Sequence, residues 1–321
     1  MKIAFFGISK YGFSYLNYLV DQKKDYKVIF VTNKFKTSPH VKLYDERLKN
    51  FCKSKNIKFF PNINVNVNKE IFDYMQDIDL SVIGGYDLIL KKKLLKLPKI
   101  GTINTHFGLI PQNRGMNPIV WALLKSEKQG LTNYFVTEKI DFGKIINQIT
   151  VNIKPKDTAK EIYDKLSKEA IQIFPQTLYK AKSKIFERTK NKKLKNQYNS
   201  GGMPNDRWVS WNWTVEFILL FSRANTFSPY PNIRTFSDSL KQEFEFKVEK
   251  IESIYHNNDV GILFRKTKNN LFVWASNGFV VINFINKKFH DLVSVGQEFK
   301  SIEGDIQTIS NSFKGKFLRN E

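Results

Sequence analysis

The chain has 321 residues and is poor in those that metal and thiol chemistry need. A single cysteine, Cys52, excludes a disulfide framework and a thiolate metal cluster. A lone thiol also suits a reducing compartment. The four histidines, His40, His106, His256 and His290, nowhere stand at metal-ligand spacing, so no metal is expected. The longest apolar runs, such as 3–8 and 217–221, fall far short of the ~20 residues a bilayer crossing needs. At the N-terminus one Lys and a short apolar run lead to Lys10 and Tyr11 without a small-residue cleavage site. No signal peptide is read, and a cytoplasmic protein is expected. Acidic residues are scarce too: 30 Asp and Glu against 52 Lys and Arg leave a net charge of +22. Such a field attracts nucleic acid, phosphorylated ligands or anionic membranes. A proteome-wide bias toward Lys, Asn, Ile and Phe would produce the same charge, so charge alone does not choose a partner. There is no G-x-S-x-G elbow and no P-loop.

What is present is core material: 41% hydrophobic and 14% aromatic residues, with 28 Phe. That excludes global disorder, and the length suggests two domains. The first third alternates short apolar runs with amphipathic stretches. Strands are predicted at 2–6, 26–31, 57–60, 79–84 and 100–106, and helices at 11–20, 41–53 and 69–76. This alternation predicts βαβ units and a mostly parallel sheet, with ligands beyond the carboxyl ends of the strands. Two more strands follow at 132–137 and 144–153, then a long helix over 157–182 capped by Asp157 or Thr158. Residues 183–206 are rich in Lys, Asn, Ser and Gly and read as a linker. A helix at 213–224 and short strands at 244–251, 261–264, 271–274 and 278–284 predict a small β-barrel or sandwich.

Two motifs mislead. Gly7 to Gly12 follows the first strand but lacks the middle glycine of a dinucleotide fingerprint, so a tight strand-to-helix turn is the better reading. Asp141-Phe142-Gly143 mimics the kinase magnesium motif without its companion motifs. The dense segment is 104–118, reading NTHFGLIPQNRGMNP. Strand residues two apart share a face, so Asn104 and His106 project together at the end of a strand. An amide beside an imidazole suits a carbonyl oxygen that gains negative charge. Pro111, Gly115 and Pro118 then build a stiff loop that carries Arg114 and Asn117.

Asn104-x-His106, then Leu-Ile-Pro-x-x-Arg-Gly-x-x-Pro at 109–118, then Asp141-x-Gly143 resembles the folate-dependent formyltransferase family. The 35 positions between His106 and Asp141 fit it. The resemblance covers roughly residues 1–180. It implies a Rossmann-like, mostly parallel α/β formyltransferase domain at 1–182, with N10-formyltetrahydrofolate as co-substrate and no metal. It also implies a catalytic trio of Asn104, His106 and Asp141. A neutral amine attacks the formyl carbon, a tetrahedral intermediate forms, and tetrahydrofolate leaves. Asn104 and His106 are assigned to oxyanion stabilisation and proton handling. Asp141 orients His106 or accepts the amine proton through water. The alternative for Asp141 alone is an Asx-turn before Gly143. Tyr86, Leu88 and Ile89, after Gly84-Gly85, match the segment that receives the pterin. Trp208 to Trp211, Arg223-Ala224 and Pro229-Tyr230-Pro231 resemble the entry to a smaller β-rich, OB-like domain, placed at 207–321. Core packing is the preferred role of the three Trp at 208–213.

The resemblance leaves two acceptors. One is the amine of a nucleotide-linked amino sugar, such as a dTDP-amino-dideoxyhexose, made for O-antigen, lipopolysaccharide or another surface glycan. The other is methionyl-tRNA. A basic run at 182–195 (Lys182, Lys184, Arg188, Lys190, Lys192, Lys193, Lys195) and the net charge favour RNA. The short, glycine-free loop at 32–40 and Phe107-Gly108 resemble the sugar branch, which is the preferred expectation, without nucleic acid as a partner. Arg114, able to make a bidentate contact with a diphosphate, and Asn117 are the expected substrate-binding residues. A non-catalytic nucleic-acid-binding protein with an OB-like module is the remaining class. Exposed edges of a β-rich domain make a homodimer a further expectation.

Overall fold

The computed structural model describes residues 1–7, 9–33, 41–86, 88–186, 198–199, 202–228, 230–304 and 306. Residues 34–40 of the short loop, residues 188–195 of the basic run, Asp87 and Pro229 lie outside the described residues. The chain divides into two compact units. The first comprises Met1–Gly115, Gly130–Val151 and Asp164–Tyr198; the second comprises Met116–Gln129, Asn152–Tyr163 and the described residues from Asn199 onward.

The first unit is built on a seven-stranded sheet. Its strands are β1 (Lys2–Phe6), β2 (Lys27–Asn33), β3 (Lys58–Pro61), β4 (Leu80–Ile83), β5 (Gly101–His106), β6 (Gln129–Phe135) and β7 (Ile145–Val151), in the order β3-β2-β1-β4-β5-β6-β7. The first five are parallel, and β6 runs antiparallel to β5. The central strands are nearly continuous apolar runs because helices cover both faces of a parallel sheet; β4 is buried at every position. The strand order reverses between β1 and β4, the place where open α/β sheets hold ligands. Helices α1 (Lys10–Asp21), α2 (Val41–Ser54), α3 (Lys69–Met75) and the single turn α4 (Lys92–Leu95) connect these strands. Phe6, Phe30, Phe60, Ile71, Met75 and Leu94 pack in one cluster.

The turn after β1 is tight, as the glycine spacing predicts. Ser9 caps α1 by accepting the Gly12 N–H, and its own N–H donates to Gly84 O at 2.9 Å. A Cβ on Gly12 would lie 2.0 Å from Gly84 O, so only glycine lets α1 approach this closely. The long helix α6 (Ala159–Lys182) begins at a capping box. Thr158 Oγ1 accepts the Glu161 N–H, and Glu161 accepts the Thr158 N–H at 2.7 Å. Farther along α6, Phe174 stacks on Tyr15 with ring centroids 3.7 Å apart.

The second unit carries the helices α5 (Pro118–Leu124) and α7 (Val215–Asn225) and a five-stranded antiparallel sheet. Its strands are β8 (Ile233–Ser237), β9 (Gln242–Ser253), β10 (Leu263–Lys266), β11 (Leu271–Ala275) and β12 (Gly278–Phe284), in the order β8-β9-β12-β11-β10. A later segment joins both edges. Lys300 N–H donates to Phe236 O at 2.8 Å on the β8 edge, and Phe299 N–H to Gly261 O at 2.9 Å beside β10. The sheet is thereby drawn toward a small barrel. Trp211 stacks on Phe246, and Trp213 meets Phe217 and Phe221 edge-on. Both Trp are fully buried, the core role expected of them, whereas the third expected core residue, Trp208, is only half-buried, with the Arg234 guanidinium 4.0 Å from its ring centroid.

Candidate active site

The alternation of β5 sorts its last three side chains. Thr105 points one way, to Tyr15 and to Asn133 Oδ1 at 2.6 Å. Asn104 and His106 share the other face, at the carboxyl end of a strand next to the switch point. His106 Nε2 donates to Asn113 O at 2.5 Å, and its Nδ1 faces Asp141 Oδ2 at 3.6 Å.

Asp141 comes from the loop between β6 and β7. It has φ +53°, a left-handed conformation that Asp tolerates better than most residues. The loop is pressed onto β6: a Cβ at Gly143 would sit 1.4 Å from Phe135 O, so the D-x-G glycine is a packing requirement. The Asp141 carboxylate is 5% exposed and held on both oxygens. Gly115 N–H donates to Oδ2 at 2.8 Å, and the Tyr134 hydroxyl donates to Oδ1 at 2.7 Å. Asn104 Nδ2 in turn donates to the Tyr134 oxygen at 3.1 Å. The structure thus brings Asn104, His106 and Asp141 together and adds Tyr134, which sequence reasoning placed only as a strand residue. Burial, then the Asp141 charge, push the Tyr134 phenol far above its usual range, so it stays a donor.

A cleft of about 160 Å³ opens on this cluster, lined by Tyr86, Leu88, Ile89, Leu90, Ile140, Asn104, Tyr134 and Asp141 among others. His106 is not one of its lining residues. The 86–91 segment is fastened by Asn66, whose amide donates to Ile89 O and accepts from Lys91 N. All three expected pterin-side residues therefore wall the same cleft as Asn104 and Asp141. Arg114 is 7% exposed; its Nε donates to Asp141 O at 2.7 Å, and its guanidinium lies 3.5 Å from the Phe142 ring centroid. Burial lowers its pKa, opposed by the Asp141 charge. Asn117 belongs to the second unit, where its Nδ2 donates to Gly202 O at 3.1 Å. Among the described residues no group of three or more His, Cys, Asp or Glu side chains gathers as a metal site, and no helix is long and apolar enough to cross a membrane.

The sequence profile described as Formyl transferase matches residues 1–178. The bifunctional polymyxin resistance protein ArnA of Wigglesworthia glossinidia brevipalpis is 31% identical over 235 residues, 72% of this chain and 35% of ArnA. This chain thus spans about a third of that relative's length. Methionyl-tRNA formyltransferase of Legionella pneumophila (strain Corby) is 23% identical over 313 residues, 96% of this chain and 98% of that one. In fold, the chain is similar to the N-formyltransferase from Helicobacter canadensis in complex with folinic acid and dTDP-3-aminofucose. That likeness has TM-score 0.60 and 19% identity, and covers 88% of this chain and 99% of that one.

Proposed function

We propose that this chain, which belongs to the formyl transferase family, moves a formyl group from N10-formyltetrahydrofolate to the amine of a nucleotide-linked amino sugar. Residues 1–182 carry the chemistry, and 207–321 are a separate β-rich part. The observation that carries the reading is the joining of Asn104 and Asp141 to one cleft, with His106 Nδ1 3.6 Å from the carboxylate. The reported complex of the Helicobacter canadensis protein with folinic acid and dTDP-3-aminofucose supports the same pair of ligands. The short loop at 32–40 supports the sugar over RNA.

Each residue has one task. The apolar wall of Leu88, Ile89 and Ile140 receives the flat ring of the formyl donor. The Asn104 amide has two N–H groups; one is given to Tyr134, and the second meets the formyl oxygen as charge builds there. The Asp141 carboxylate takes the proton of the attacking amine, directly or through water, and the departing tetrahydrofolate nitrogen takes up a proton as its bond to the formyl carbon breaks; His106, with Nδ1 3.6 Å from Oδ2, serves the oxyanion and this proton transfer. Arg114 and Asn117 act on the acceptor side. A surface-glycan product, a cytoplasmic location and a homodimer complete the proposal.

Methionyl-tRNA is the second reading, favoured by the relative that aligns over 96% of the chain. The purified chain with N10-formyltetrahydrofolate is offered dTDP- and UDP-linked amino sugars and, separately, methionyl-tRNA. Formylated sugar nucleotide, detected by mass spectrometry, is expected. Turnover of methionyl-tRNA with none of any nucleotide sugar refutes the assignment.

A further inference from the structure

The cluster contains a side chain with no assigned role. Tyr134 lies on β6 directly opposite Asn104 of β5, and its ring packs with Ile110 and Ile145 while only 3% exposed. A core aromatic needs no hydroxyl for that. The hydroxyl sits where two of the three proposed catalytic groups converge, 2.7 Å from Asp141 Oδ1 and 3.1 Å from Asn104 Nδ2.

The directions of both bonds are set by valence. An ionised carboxylate only accepts, so the phenol hydrogen goes to Asp141. An amide N–H only donates, so it spends one phenol lone pair. Asn104 is thereby held with its nitrogen toward Tyr134, and its second N–H is aimed by the plane of the amide. Asp141 is held on Oδ1 by the phenol while Gly115 N–H holds Oδ2. His106 from β5 and Tyr134 from β6 face the carboxylate, and Arg114 from the loop after β5 donates to the Asp141 main-chain oxygen. Tyr134 also touches Asn104.

We propose that Tyr134 is a positioning residue for formyl transfer. Its hydroxyl couples the Asp141 carboxylate to the Asn104 amide, so the proton acceptor and the oxyanion donor are oriented as one unit. The proposal rests on the roles given above to Asn104 and Asp141.

The test is a double-mutant cycle of Tyr134→Phe and Asp141→Asn, read as kcat with the acceptor the wild-type protein uses. Tyr134→Phe alone should lower kcat about 10–100-fold, with KM for both substrates within about twofold, as expected when a preorganised donor is lost. In the Asp141→Asn background the same change should cost less than about threefold, because the coupling of carboxylate to amide that the hydroxyl provides is already broken there. Losses that multiply, or a Tyr134→Phe enzyme with wild-type kcat, overturn the proposal. Should Tyr134→Phe not fold, Tyr134→Gln takes its place in the cycle under the same criterion. If no nucleotide sugar is turned over, the acceptor assignment has failed, and the cycle is read with methionyl-tRNA as acceptor.

Discussion

Replacing Asp141 by Asn keeps the size and the left-handed backbone of the site and removes only the charge and one acceptor. The cost is set by the hydrogen bonds around it. If the new amide oxygen faces Gly115 N–H, its NH₂ faces Tyr134, which already accepts from Asn104; the phenol accepts both and its own hydrogen is left without an acceptor. If the oxygen faces Tyr134, the NH₂ confronts Gly115 N–H, donor against donor. Either way one buried donor is unpaired, a cost of about 1–3 kcal/mol. The thermal midpoint should drop by roughly 2–4 °C for each of those kcal/mol. The variant therefore folds at room temperature. Its kcat should fall by a factor on the order of 10²–10⁴, the range for a general acid–base group. The assay is initial-rate release of tetrahydrofolate from pH 6 to 9, with differential scanning fluorimetry on the same preparations. A kcat within about threefold of wild type across that range, with the midpoint lowered as expected, would refute the role of Asp141 and leave it a turn residue.

Other perturbations probe the same geometry. His106→Asn should fold and lose activity by about 10²–10⁴, and Asn104→Ala by a comparable factor through the oxyanion contact; steady-state rates check both. Arg114→Ala should raise the acceptor KM about tenfold, as loss of a charge-assisted contact does. Loss of donor binding instead, seen by fluorescence titration, would place Arg114 on the loop alone. Gly143→Ala should destabilise by about 3 kcal/mol or more, since its Cβ would collide with Phe135 O; urea denaturation measures it. Burial pushes the Cys52 thiol up to about 12, so it should resist thiol reagents at pH 8 until the protein is unfolded. The sign is set by the proton count. From about pH 8.5, where an unperturbed thiol ionises, to about pH 12, the folded state binds the extra proton and stability falls as pH rises.

The succession of strands and helices in the first unit and the pairing of Asn104 with His106 were legible because each leaves a local signature, apolar runs for the one and period-two alternation for the other; the D-x-G came with the family resemblance. Other parts were not. Helix α5, PIVWALL, is buried at six of its seven positions and so has no amphipathic period to read. Strand β8 alternates over only five residues, with Arg234 in its half-buried phase. Tyr134 stayed hidden for a different reason. Its importance lies in a phenol oxygen between two side chains 30 positions upstream and 7 downstream, and no spacing rule encodes that meeting. The commitment of His106 Nε2 to a main-chain carbonyl is equally invisible in a string of letters.

The segment at 299–300 that ties Phe236 to Gly261 has a bearing on how the protein is made. During synthesis the seven-stranded sheet has all its strands once residue 151 has left the ribosome, and the first unit gains its Tyr15–Phe174 stack soon afterwards. The antiparallel sheet waits much longer. Both of its outer strands keep open main-chain groups until a partner more than sixty positions after the first of them, and nearly forty after Gly261, has emerged. Exposed strand edges recruit other chains. A ribosome that stalls before residue 299 therefore holds out a nascent protein with one sheet finished and the other still sticky along its edges, in need of a chaperone until translation resumes.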